Sequence, residues 1–168
     1  MIRHATIDDI DTILSIVRSA QLSLRDLGID QWQDGYPRRE DIAKDIDAEV
    51  GYVAVDDKDR VIGYAAIIYS GEEAYSQIRI EDWHTSNEYV VVHRLCVDGL
   101  VRRRGVAISL MEYAMQGAIQ RGLDGFRIDT HQGNIRMLSM LERLGFKYCG
   151  IIYYPSGKRL AYDLKLKI

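Results

Sequence analysis

The sequence predicts an α/β fold, an α+β mixed sheet of about seven strands flanked by about four helices. Hydrophobic spacing switches repeatedly between the strand period of two and the helix period of 3.6. The resulting element order is β-α-α-β-β-β-α-β-α-β-β, which is typical of a mixed sheet with helices on its faces. The chain has 168 residues, 47% of them hydrophobic, so we expect one domain, residues 1–168, with a sizeable core.

The N-terminal third predicts one short strand and two helices. Residues 2–4 form the strand, and Thr6 with Asp9 three positions later gives a helix start. Apolar residues at helical spacing then predict a helix over residues 8–26. Residues 38–48 predict a second, more polar helix.

The middle of the chain is rich in strands. Residues 50–55 and 61–69 flank a polar turn and predict a hairpin. Residues 71–87 are polar, fit no regular element, and carry Trp83 as an exposed aromatic. Residues 89–97 predict a long, mostly apolar strand.

The C-terminal part alternates between helices and strands. Helical spacing predicts helices over residues 104–121 and 134–144, with a strand over 126–130 between them. Residues 148–154 and 160–166 predict two final strands. An apolar strand pair at the end of a sheet favours pairing with a second copy, so we expect a homodimer.

Composition excludes several classes of protein. The net charge of -3 gives no overall attraction to nucleic acid. No stretch approaches the ~20 apolar residues that span a bilayer, and the N-terminus lacks the features of a signal peptide. Cys96 and Cys149 form no disulfide framework and no metal set, so we expect a cytoplasmic protein without a metal.

The segment after residue 97 predicts a phosphate site. A buried strand leads through a basic loop, Arg102-Arg103-Arg104, into a helix. Gly105 and Ala107 have little or no side chain, so a ligand can approach the backbone closely. The backbone N–H groups there lie at a helix N-terminus, which attracts anions. The alternative is a solvated basic turn whose small residues only permit tight packing.

Two motifs resemble one family. Arg102-x-x-Gly105-x-Ala107 after an apolar strand resembles the pyrophosphate-binding signature of the GNAT superfamily of N-acetyltransferases. Asn134, upstream of Leu144-Gly145-Phe146, resembles the second conserved block of that superfamily. The predicted element order is similar to the acyl-CoA N-acyltransferase fold from end to end.

The resemblance implies acetyl-CoA as cofactor, bound where the central strand splays away from residues 126–130. Main-chain groups of the strand would bind the pantetheine arm, and the amides of Arg103 to Ser109 would bind the pyrophosphate. Asn134 would contact the pantetheine side, although an ordinary N-cap is an equal explanation. The implied cofactor residues are Leu95, Cys96, Val97, Arg102, Arg103, Arg104, Gly105, Val106, Ala107, Ser109, Asn134 and Arg143.

Acetyl transfer to an amine needs a base that removes a proton from the nucleophile. His93 is the first candidate because histidine titrates near neutral pH and lies on the strand that would border the thioester. Its alternative role is a packed histidine within the sheet. Glu88, at the start of the strand, is the second candidate.

The proton donor to the leaving thiol is where the sequence departs from the family. A tyrosine is common seven residues after the asparagine, and Leu141 stands there. Tyr153 is one of three tyrosines nearby in sequence that could replace it. Cys149 as an acylated nucleophile is disfavoured against a small buried apolar residue, so we expect direct transfer.

The acceptor would be held by aromatic residues in irregular segments. Large aromatics in loops often serve binding, and Asp34 could hold a cationic amine. The predicted acceptor residues are Trp32, Asp34, Tyr36 and Trp83. The alternative is that both tryptophans cover the edge of the core.

The function predicted from the sequence is acetyl transfer from acetyl-CoA to a primary amine of a small molecule or peptide. The first alternative is a non-catalytic acyl-CoA sensor on the same fold, which the leucine at position 141 favours. A different nucleotide-binding module is the second alternative. The loop lacks the Lys-Ser/Thr pair of a P-loop and the three-glycine dinucleotide fingerprint.

Overall fold

The computed structural model describes residues 1–102 and 104–167 and confirms the predicted element order. Seven strands form one mixed sheet in the order β1-β2-β3-β4-β5-β7-β6. The elements are β1 (Ile2–His4), α1 (Ile10–Asp26), α2 (Arg39–Asp47), β2 (Gly51–Val55), β3 (Val61–Ile68), β4 (Tyr89–Val97), α3 (Val106–Gln120), β5 (Gly125–Thr130), α4 (Ile135–Leu144), β6 (Lys147–Tyr154) and β7 (Gly157–Lys165). Among the helices described, none is both long and apolar enough to cross a membrane.

The chain divides into two compact units. The first comprises Met1–Ile67 with Val92–Tyr113, and the second comprises Ile68–Val91 with the chain from Ala114 onward. Both β4 and α3 contribute residues to each unit. The single domain expected over residues 1–168 stays a prediction.

The first unit is built on antiparallel strands. β2 pairs with β1 on one side and with β3 on the other. The apolar face of α1 buries Ile13 and Val17 in a cluster that also contains Val53 and Tyr64. Each fully buried aliphatic side chain contributes about 1.5–3 kcal/mol, so this face holds α1 in place.

The predicted helix start at Thr6 is confirmed, with one turn of 3₁₀-helix, Ile7–Asp9, ahead of α1. The Thr6 N–H donates to Asp9 Oδ2 at 2.8 Å. Arg3 donates to both oxygens of Asp9, at 2.8 and 3.0 Å. The hydrogen bond from Arg3 lowers the pKa of Asp9, against the opposing effect of burial.

Replacing Asp9 with asparagine should destabilise the protein by about 1 kcal/mol at pH 7, because the ion pair and part of the cap are lost. Since the pKa of Asp9 is lower in the folded chain than its ordinary 3.8, its contribution is present above about pH 4. The contribution disappears as pH falls through the folded pKa. Urea unfolding of both proteins at pH 7 and pH 3 tests this, and an undiminished difference at pH 3 would contradict it.

The second unit contains the remaining strand pairs. Tyr89, Val90 and Val91 of β4 pair in parallel with Gly125–Arg127 of β5. β7 pairs antiparallel with both β5 and β6. β7 begins at Gly157, three residues earlier than predicted, because Tyr154 and Gly157 are already paired across a two-residue turn. β6 ends the strand order.

The segment over residues 71–87 is more ordered than the sequence predicts. It forms two 3₁₀-helices, Glu73–Gln77 and Ile80–Asp82. Trp83 is only 6% exposed and belongs to a hydrophobic cluster with Tyr75 and Tyr89. The expectation of an exposed Trp83 is therefore wrong. It was based on the polar residues next to Trp83 in sequence, whereas the side chain itself covers the core.

Candidate functional site

A bend in β4 is the first feature of the site in the first unit. Arg94 has φ of 55°, a left-handed conformation that few side chains other than glycine adopt inside a strand. Its guanidinium donates from Nε to Asp45 Oδ2 at 2.8 Å and from Nη2 to Asp45 Oδ1 at 2.6 Å. The third nitrogen donates to the Tyr36 hydroxyl at 2.8 Å. The bent backbone is thus fixed by a bidentate ion pair.

Asp45 holds this arrangement together from α2. It is 5% exposed and also accepts from the Tyr64 hydroxyl at 2.5 Å. Burial, and then the charge of Asp45, raises the pKa of the Tyr64 phenol well above its ordinary value. Burial alone would lower the pKa of Arg94, but its hydrogen bonds and charge interactions with Asp45 and Tyr36 outweigh burial and raise it. The Arg94 guanidinium therefore stays charged despite its burial.

Sequence reasoning missed both members of this pair. Arg94 is a charged residue within an apolar strand. Such a residue needs a partner of opposite charge, because an unpaired buried charge is costly. No local pattern named Asp45 as that partner, since it lies 49 residues away. We call Asp45, Arg94, Tyr36 and Tyr64 the Arg94 cluster.

The predicted aromatic loop is anchored to this cluster. Tyr36 is held at two points. Its carbonyl accepts from Gln21 Nε2 of α1 at 3.0 Å, and its hydroxyl accepts from Arg94. The rings of Trp32 and Tyr36 lie edge to face with centroids 6.4 Å apart. Asp34 is exposed, and its Oδ1 accepts from the Tyr36 N–H at 3.2 Å. Three of the four predicted acceptor residues thus share one loop.

The strand residues proposed for the cofactor and for catalysis flank the bend. His93 and Leu95, on either side of Arg94, are half-buried, as is Val97. Cys96 is buried, and burial raises the pKa of its thiol to about 12. Its side chain therefore contributes packing, and only its backbone is suited to contact a ligand.

The loop after β4 leads into an open helix N-terminus. Asp98 Oδ1 accepts from the Leu100 N–H at 3.0 Å, which shapes the turn Gly99–Val101. Gly105 has φ of 76°, and a side chain there would meet no atom of the described residues within 4 Å. Arg102 and Arg104 are exposed. Arg103 lies outside the described residues.

One predicted contact at the helix N-terminus has a competing partner. The Ser109 N–H already donates to the Gly105 carbonyl at 2.9 Å, so it cannot also bind a pyrophosphate as its main partner. The first-turn N–H groups of α3 belong to Val106, Ala107 and Ile108, which have no partner inside the helix. Val106 anchors this turn, because its Cγ1 fills the space beside Gly63 of β3.

The remaining predicted residues lie in the second unit. Asn134 caps α4, with Oδ1 accepting from the Met137 N–H at 3.3 Å, which confirms the N-cap role and leaves the cofactor role a prediction. Arg143 is exposed in the last turn of α4, and Glu88 is exposed just before β4. Tyr153 is 65% exposed on β6. Leu141, where the family commonly has tyrosine, is completely buried and serves the core.

Comparison with known proteins agrees with this architecture. The sequence model of the acetyltransferase (GNAT) family matches residues 18–146. A GNAT-family acetyltransferase of known crystal structure from Streptococcus agalactiae 2603 is 34% identical. That match has a TM-score of 0.86 and covers 100% of this chain and 95% of the other. The chain therefore belongs to the acetyltransferase (GNAT) family.

Two further relatives match over part of their length. Streptothricin acetyltransferase from Escherichia coli is 31% identical over 101 residues, which are 60% of this chain and 56% of that protein. The chloroplastic GCN5-related N-acetyltransferase 6 of Arabidopsis thaliana is 28% identical over 80 residues, 47% of this chain and 28% of that protein. The match thus spans little more than half of the first relative and just over a quarter of the second.

Proposed function

We propose that the protein transfers the acetyl group of acetyl-CoA directly to a primary amine. The observation that carries this proposal is the open helix N-terminus at Gly105, which follows the bent strand β4. Membership of the acetyltransferase (GNAT) family supports acyl transfer in general. Acetyl-CoA as the donor and a primary amine as the acceptor are what we propose beyond family membership.

The residues of the loop fit a diphosphate. The first-turn N–H groups of α3 offer donors and the positive end of the helix dipole. The open space at Gly105 lets a ligand approach the backbone. Arg102 and Arg104 add exposed positive charge. Bound acetyl-CoA would supply an acetyl group already activated as a thioester.

Direct transfer is favoured because neither cysteine is suited to carry the acetyl group. Burial raises the pKa of Cys96 to about 12. Burial, together with a hydrogen bond to Asp163, raises the pKa of Cys149 to about 12. Thiolate is the nucleophilic form, so neither thiol is suited to attack a thioester at neutral pH.

We assign the general base to His93, with Glu88 as the second candidate. An ammonium group has no lone pair, so the acceptor must lose a proton before or during attack. His93 lies on β4 directly before the bend at Arg94, and it is half-buried. Tyr153 is retained as the proposed proton donor to the leaving thiol.

The acceptor side is assigned to the aromatic loop, with Trp32, Tyr36 and Asp34 as contacts. The exposed Asp34 carboxylate suits a cationic amine. Trp83 is withdrawn from this set because it is buried. An acceptor screen should include polyamines, amino acids, aminoglycosides, peptides with a free N-terminus, and streptothricin, which is named by the relative from Escherichia coli. A cytoplasmic location and a homodimer stay predictions.

Two glycines allow a matched test of the cofactor site. Gly105 and Gly122 have nearly the same φ, 76° and 73°, and among the residues that the structure describes no atom lies within 4 Å of a side chain placed at either. A glutamate therefore introduces the same strain and the same charge at both positions. Like charges a few ångströms apart repel by roughly 3–4 kcal/mol near a protein surface. Gly105→Glu should accordingly weaken acetyl-CoA binding by more than about 100-fold.

Calorimetric titration with acetyl-CoA measures the effect. The wild type and Gly122→Glu should bind with the same affinity. Equal weakening in both variants would show that strain, rather than the site, is responsible. Absence of binding by the wild type would exclude the proposed cofactor.

A further inference from the structure

We propose that His84, Cys149 and Asp163, in the second unit, form a binding site for a divalent transition-metal ion such as Zn²⁺. One ligand atom from each residue lies within 4.8 Å of the other two. Imidazole, thiolate and carboxylate are the three ligand types that Zn²⁺ accepts in proteins. The sequence positions are far apart, so spacing rules could not predict this group.

Distances in the cluster are close to those of a metal site. Cys149 Sγ lies 3.5 Å from His84 Nδ1, and His84 Nδ1 lies 2.8 Å from Asp163 Oδ1. With metal–ligand distances of about 2.0–2.3 Å in tetrahedral geometry, neighbouring ligand atoms are about 3.3–3.6 Å apart. The first distance already fits, and the second needs an opening of roughly half an ångström. The exposed His84 side chain can make that adjustment.

The carboxylate is oriented for this role. Asp163 is buried, and its Oδ2 accepts from the His84 N–H at 2.7 Å and from the Thr85 hydroxyl at 3.0 Å. These two donors leave Oδ1 directed at the His84 ring. Hydrogen bonds of this kind to a ligand carboxylate are a general feature of metal sites.

A β-bulge presents the thiol. In the β6–β7 register Tyr148 pairs with Tyr162 and Gly150 pairs with Ala161, which makes Cys149 the extra residue. Bulges redirect side chains and often lie beside functional sites. Cys149 has no paired residue on β7, and its Sγ contacts the His84 ring.

Charge around the site is balanced for a divalent ion. Metal binding displaces the thiol proton to solvent, and the resulting thiolate and the Asp163 carboxylate together carry two negative charges. Arg127 lies behind Thr85, donating to the Thr85 hydroxyl at 3.1 Å, and its charge opposes that of the ion. The ring of Trp83 lies 4.1 Å from the Arg127 guanidinium and stabilises this buried cation.

The His84 side chain is 46% exposed, so solvent can reach an ion bound to it. Three protein ligands with an open position are typical of ions that keep a water or an exchangeable ligand. The ion would join the segment around His84 to β6 and β7. It would therefore stabilise the folded second unit as its concentration rises.

Cobalt titration of the full chain, stripped with a chelator, tests the proposal. Wild-type protein should bind one Co²⁺ per chain, with a thiolate-to-cobalt charge-transfer band that Zn²⁺ abolishes by displacement. Cys149→Ser should lose the band, and His84→Ala should bind more than about 100-fold more weakly, since even outer-sphere changes cost 10–100-fold. Cys96→Ala, at the other cysteine, is the control and should retain the band.

Two results would overturn the proposal. The first is a wild-type protein that shows no charge-transfer band at saturating Co²⁺. The second is a band that persists unchanged in Cys149→Ser. The first result needs no variant, so it stays decisive even if a substitution prevents folding. In either case the three side chains would form a hydrogen-bonded cluster without a metal-binding role.

Discussion

Replacing Asp45 with alanine is expected to lower the free energy of unfolding by about 3–5 kcal/mol. The substitution leaves the Arg94 guanidinium, whose side chain is only 16% exposed, without its counter-charge. The Tyr64 hydroxyl, bonded to Asp45 at 2.5 Å, also loses its acceptor. Urea unfolding at neutral pH measures the loss.

A second Asp–Arg pair in the same unit provides the control. Asp11 accepts from Arg39 at 2.8 Å, but their side chains are 86% and 54% exposed. Asp11→Ala should therefore change stability by less than about 1 kcal/mol. A similar loss of unfolding free energy in both variants would show that burial does not determine how much the Asp45–Arg94 pair contributes to stability.

A double substitution separates the charge from the packing. Asp45→Ala leaves the buried Arg94 guanidinium unpaired, and Arg94→Met removes that guanidinium. The double variant should therefore be more stable than Asp45→Ala alone. Additive losses would instead indicate that the two residues act independently. Because Arg94 also binds the Tyr36 hydroxyl of the proposed acceptor loop, Asp45→Ala and Arg94→Met should both raise the KM for the acceptor.

Much of the fold followed from local patterns. Capping at Thr6 and hydrophobic spacing predicted α1, and continuous apolar character predicted β4 with its observed bounds. The loop at Gly105 was found because small residues between a strand and a helix have a known use. These features depend on neighbours in sequence, so the sequence displays them.

Features that depend on distant contacts were not predictable in this way. The Arg94 cluster joins residues from α2, β3, β4 and a loop. Trp83 was assigned to the acceptor because polar neighbours surround it in sequence, whereas Tyr75 and Tyr89 surround it in space. His84, Cys149 and Asp163 meet only through strand register and a bulge. Hydrophobic periodicity reports which face of an element is buried, but not what that face meets.

The second large effect is expected at His93. If His93 is the general base, His93→Ala should lower kcat by about 10²–10⁴-fold, with an amine acceptor from the screen. Acetyl-CoA affinity, measured by calorimetry, should stay unchanged, because the loss concerns proton transfer rather than binding. Imidazole added to the variant should restore part of the rate, since it replaces the missing base.

Two further variants decide between the candidates. His4→Ala, at an exposed histidine of β1, should retain the wild-type rate. Glu88→Gln should also retain it, and a loss there with normal activity in His93→Ala would move the base to Glu88. A protein that binds acetyl-CoA but acetylates no amine in the screen, with or without His93, would instead support the acyl-CoA sensor. The completely buried Leu141, in the position where a tyrosine commonly stands, would then mark the loss of catalysis rather than a different proton donor.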